Sequence, residues 1–177
     1  MKKTTVLAAL LLALGLSFSV KAADPYTSKF QAGKWNGVVK SSVLPDLKGQ
    51  KFTATTSVKG DAVTITVVMA TAKGQEREVW KIRGNQLIQT EYDAKGNVVG
   101  KPYKAVAAKG SDTEKTFNIS CKNKPANKCD NNIDANNSWT IKVGEKKITY
   151  TVNGLKDKSN PKSFGQRHKF EMKPILK

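Results

Sequence analysis

The chain has one histidine, His168, in the stretch FGQRHKFEMK (164–173). Alternation there puts Phe164, Gln166, His168, Phe170 and Met172 on one face and Gly165, Arg167, Lys169, Glu171 and Lys173 on the other. The histidine is therefore expected to face inward among apolar side chains. One histidine with no nucleophile motif supplies no triad. No cluster has zinc-site spacing, and no glycine motif would cradle a phosphate. Asp130, Asn132, Asp134 and Asn136 alternate as calcium ligands do. An EF-hand loop starting at Asp130 would need Gly and Glu at its sixth and twelfth positions, where Ala135 and Ile141 stand. A disulfide-pinned polar loop, with or without weak Ca²⁺ affinity, is the expectation. The 14 acids leave open a pair of catalytic carboxylates from separate strands, but the sequence sets no distances. A non-catalytic protein without a cofactor is expected.

Charge and cysteines set the context. The formal net charge is +17, and only Arg77, Arg83 and Arg167 are arginines. Lysine is a solvated point charge, whereas arginine gives bidentate recognition of phosphates and bases. Nucleic acid is therefore not an expected partner. Met1-Lys2-Lys3, an apolar run from Val6 to Val20, and Val20-Lys21-Ala22 have the layout of a bacterial secretory signal peptide over residues 1–22. Its removal takes away three lysines and no acid, leaving +14. A periplasmic or secreted monomer is expected, with no membrane span in residues 23–177. In that compartment Cys121 and Cys129 are expected to form a disulfide.

The elements follow from period-two alternation. Phe52, Ala54, Thr56 and Val58 share a face; so do Val63, Ile65, Val67 and Met69. Trp80 with Ile82, Phe117 with Ile119, Trp139 with Ile141 and Val143, and Ile148 with Tyr150 and Val152 repeat the pattern. Gly60-Asp61, Gly84-Asn85 and Gly144-Glu145 separate consecutive runs as hairpin turns. Ten strands are expected near 35–41, 51–59, 62–71, 77–83, 86–92, 98–107, 113–121, 138–143, 146–153 and 164–173. Residues 26–31 are expected to form a short helix or coil lid. An up-and-down meander hides its edges by closing, so one all-β antiparallel barrel over 23–177 is predicted. An immunoglobulin-type sandwich is disfavoured, because its cysteines would lie far apart.

Gly33-Lys34-Trp35 ahead of a strand and a meander resembles the lipocalin signature, and the order of elements resembles the calycins over most of the chain. The resemblance implies that Trp35 closes one end of the barrel, with a basic residue of the last strand over it, Arg167 or Lys169. Ten strands and an inward His168 are similar to the nitrobindins, which implies haem ligation by His168 as an alternative. The expected function is to hold a small apolar or amphipathic ligand, such as a fatty acid. Its wall would comprise Trp35, Phe52, Val58, Ile65, Val67, Trp80, Phe117, Tyr150, His168, Phe170 and Met172, joined by Val63 and Ile141. An anionic head group would meet lysines at the open mouth. The rival is an interaction protein whose lysine-rich outside binds an anionic envelope polymer or acidic protein. Region 142–177, at +7, favours that rival. Inhibition of a basic lysozyme is disfavoured by like charge.

Overall fold

The computed structural model describes residues 24–72, 74–119, 137–154 and 165–175. The signal peptide expected over 1–22, the disulfide expected between Cys121 and Cys129, and the Asn-rich stretch 122–136 lie outside these residues. Among these residues ten strands form: β1 (Gly33–Ser42), β2 (Lys51–Lys59), β3 (Ala62–Thr71), β4 (Gly74–Arg83), β5 (Gln86–Tyr92), β6 (Val98–Gly110), β7 (Glu114–Ile119), β8 (Asn137–Gly144), β9 (Lys147–Gly154) and β10 (Gly165–Pro174). Each pairs antiparallel with its sequence neighbours, and β10 pairs with β1 to close the barrel. Closure leaves no unpaired edge beside the apolar run AVTITVVMA of β3.

Turn chemistry explains the hairpins. Gly60 and Gly84 sit at φ 59° and 54°, a left-handed backbone that a side chain disfavours. The β8–β9 turn is Glu145-Lys146, not Gly144-Glu145, because Gly144 still pairs with Lys147. Strand β4 begins at Gly74, three residues earlier than alternation suggested.

One end of the barrel is plugged from within. Tyr26 and Phe30 are buried on either side of a single 3₁₀ turn, Thr27–Lys29. Their rings meet edge to face at 5.3 Å. The Tyr26 hydroxyl donates to the Ile141 carbonyl at 3.1 Å, tying the plug to β8. Asp24 accepts from the backbone N–H groups of Tyr26 and Thr27 at 2.9 and 3.2 Å. The expected lid over 26–31 is thus an inward stopper. Above it, Trp35, Val39, Ile65, Ile82, Leu87, Phe117, Ile141 and Ile148 are fully buried. This half of the barrel is filled by its own side chains.

The Trp35 cap needs correction. Trp35 is buried (2% exposed) at the plugged end, opposite Pro174. Arg167 and Lys169 lie toward the other end: Lys169 pairs with Ser41, and the Arg167 carbonyl accepts from Val43 N–H. Six residues of strand, about 20 Å, separate Ser41 from Trp35. Both basic residues also point outward by parity, so neither covers the tryptophan.

Gly37 is a close-approach glycine. The Phe52 ring occupies the space a Cβ would take. Gly37→Ala is expected to cost about 1–3 kcal/mol by overpacking. A lower urea midpoint at unchanged m-value would report it, and an unchanged midpoint would show that Phe52 moves aside freely.

Candidate functional site

The half of the barrel away from the plug differs in character. Here the inward positions of β4 and β5 carry acids. Trp80 and Ile82 point in, so parity brings Glu78 and Glu76 in as well. Leu87 and Gln89 likewise bring in Glu91. Glu78 and Glu91 stand directly opposite each other in the ladder, an arrangement that like charges disfavour. Sequence reasoning assigned the inward face of β4 only from Trp80 onward and missed all three. Counting back in twos from Trp80, and forward from Leu87, would have found them.

The hydrogen bonds knit this cluster. Glu78 Oε2 accepts from the Trp80 indole N–H at 3.1 Å and from the Gln89 amide at 3.1 Å. The same Gln89 nitrogen reaches Glu91 Oε1 at 3.5 Å, the outer limit of a hydrogen bond. Burial, then the charge of Glu91, pushes the Glu78 carboxyl up to about 7, against the opposing pull of its two donors. Glu91 is pushed up by burial and by Glu76. The Tyr150 hydroxyl is held well above its ordinary value by burial, then by Glu78 and Glu91. Glu76, Glu78 and Glu91 nevertheless remain only half-buried.

Aromatic rings pack against one another beneath these acids, and Trp80, Trp139 and Tyr150 belong to the buried core. Trp80 and Tyr150 lie 4.2 Å apart between centroids. Tyr150 meets Phe170 at 5.3 Å and Trp139 at 6.3 Å. Trp139 meets Tyr103, and Phe170 meets Phe52. Phe170, Tyr103 and Met69 are partly buried. His168 stands half-buried on β10, its ring 6.2 Å from Phe170 and its Nδ1 2.9 Å from Ser42 Oγ. Burial, then the Arg167 charge, pulls the imidazole below its ordinary value.

The expected wall is therefore divided. Trp80, Tyr150, His168 and Phe170 gather on the acidic side. Trp35, Ile65, Phe117 and Met172 are packed into the core, with Val63 and Ile141, and Val67 and Phe52 are nearly as buried. Val58 is a correction: it is 36% exposed although it shares the parity of Phe52. It sits beside the β2–β3 turn, where nothing packs over it. The head-group expectation also changes. The inward charges of this half are carboxylates, while the lysines of β1, β2 and β10 point outward by parity. An outer hollow bordered by Lys40, Lys51 and Lys173 crosses β10, β1 and β2.

No helix among the described residues is long and apolar enough to cross a membrane. No family model matches the chain, and no curated protein matches it.

Proposed function

We propose that this protein is a non-catalytic binding protein holding a small amphipathic ligand in the unplugged half of its barrel. The observation that carries the reading is the contrast between the two halves. One is stoppered and filled, while the other carries the half-buried Glu76, Glu78 and Glu91 beside the partly buried Tyr103 and Phe170. Exposed Val43, Leu44, Val98 and Val99 adjoin the strand ends on that side and give it an apolar lip. Interior carboxylates would repel a fatty-acid head group or haem propionates at close range. At an effective dielectric near 20, two like charges about 4 Å apart cost about 4 kcal/mol. The ligand therefore lacks an anionic group at that depth.

Native mass spectrometry of the full chain purified without detergent tests this. A discrete added mass, released on denaturation, is expected. A bare mass, with no amphiphile able to change the fluorescence of Trp80 and Trp139, would remove the reading.

A second reading places an anionic polymer on the outer hollow among Lys40, Lys51 and Lys173. Such binding would weaken steeply with salt. Occupancy of the interior would barely respond to it.

A further inference from the structure

Among the described residues, no ion pair involves Glu76, Glu78 or Glu91. A separate observation points the same way. Gln89 is only 3% exposed, and its side-chain oxygen has no hydrogen-bond partner. Its nitrogen is already committed to the two carboxylates. A buried acceptor left open beside two carboxylates is a place for a donor. Trp80 cannot supply it, since its one N–H is used on Glu78.

We propose that this interior site takes an organic cation, a primary ammonium or guanidinium group carried on an apolar chain. The inference rests on the ligand-barrel reading and names the ligand class. The charged group sits between Glu78 and Glu91 and donates to the free oxygen of Gln89. The apolar chain runs along Phe170 toward the lip. A metal ion fits less well, because no three described His, Cys, Asp or Glu side chains converge to hold one. The lysines outside do not cancel the attraction. They are solvated and screened over about 8 Å at physiological salt, whereas the carboxylates meet the ligand at contact.

The titratable groups facing Glu78 are Glu76 on its own strand, Glu91 on β5 and Tyr150 on β9. The charges of Glu91 and Glu76 favour protonation of Glu78 when the site is empty, while Tyr150, its hydroxyl raised, stays neutral. A bound cation reverses that balance and expels the proton. Affinity therefore rises as pH increases from 6 to 8.

The test uses the full chain and three probes of one length, octylammonium, octanol and octanoate, with calorimetry at pH 6 and pH 8. Octylammonium is expected to bind best at pH 8, by about tenfold or more over octanol, with octanoate weakest. Glu78→Gln should lower octylammonium affinity about tenfold and leave octanol unchanged. Equal binding of octanol and octylammonium, or a tenfold preference that survives E78Q with E91Q, overturns the cation inference while the ligand barrel stands. If none of the three binds, the barrel reading fails with it.

Discussion

Glu78→Gln is expected to stabilise the protein by about 2–3 kcal/mol at pH 8 and to leave it nearly unchanged at pH 4. The Glu78 carboxyl is held up to about 7 in the fold, against 4.5 for the free group. Between those values the native state keeps a proton that the unfolded chain has released. Stability from this group is therefore full below pH 4.5 and lost as pH rises toward 7. A glutamine stays neutral throughout, and its carbonyl can still accept from Trp80 and Gln89. Urea denaturation at pH 4, 6 and 8 measures the difference between variant and parent. Parallel profiles would mean that Glu78 ionises freely and that the interior is wetter than its surroundings imply. Should the variant bind ammonium ligands poorly while folding better, the site trades stability for binding.

Lys115→Met should cost about 3 kcal/mol, because it opens the plug. Lys115 is inward-facing on β7 and 8% exposed. Its ammonium donates to Asp24 Oδ2 at 3.0 Å, to the Gly84 carbonyl at 3.1 Å and to Asn85 Oδ1 at 2.9 Å. It also lies 5.0 Å from the Tyr26 ring centroid. One side chain thus fastens the N-terminal segment, β7 and the β4–β5 turn. Methionine keeps the stem and leaves three acceptors without their donor. Burial raises Asp24, but Lys115 and the backbone donors of Thr27 and Tyr26 outweigh it, and the net direction is down. The support from Asp24 therefore fades as pH falls through its lowered folded value. A double-mutant cycle with Asp24→Asn should give a coupling of about 1 kcal/mol or more. Additive losses would mean that the plug is held by Tyr26 and Phe30 alone.

Alternation carried the fold because most interior positions are apolar. Strands β3, β8 and β9 announce their inner faces through Val63-Ile65-Val67, Trp139-Ile141-Val143 and Ile148-Tyr150. The same logic hid the site. Glu76, Glu78, Glu91 and Lys115 occupy inward positions but look like solvent-facing residues in a one-dimensional pattern. The strand β4 was consequently read short at its acidic start. Val58 shows the opposite error, an apolar residue of the right parity lying beyond the cover of the barrel. The pairing of Arg167 with Trp35 failed for another reason. Position within a motif does not say at which end of a strand a residue stands, and β10 runs from the open end to the plugged end.

Among the described residues, the seam between β1 and β10 is the single ladder not made by sequence neighbours. The other nine can form in order as the chain collapses, most across connections of a few residues, with longer ones before β8 and β10. The seam must bring Trp35 opposite Pro174, and loop-closure entropy makes it slow. Until it zips, β1 and β10 are the bare edges of an open sheet, the state most exposed to pairing with another copy. Those two strands carry Lys34 and Lys40, and Arg167, Lys169 and Lys173. Positive charge along an unpaired edge opposes edge-to-edge growth. Lys34, Lys40, Lys169 and Lys173 thus guard the seam before the barrel closes.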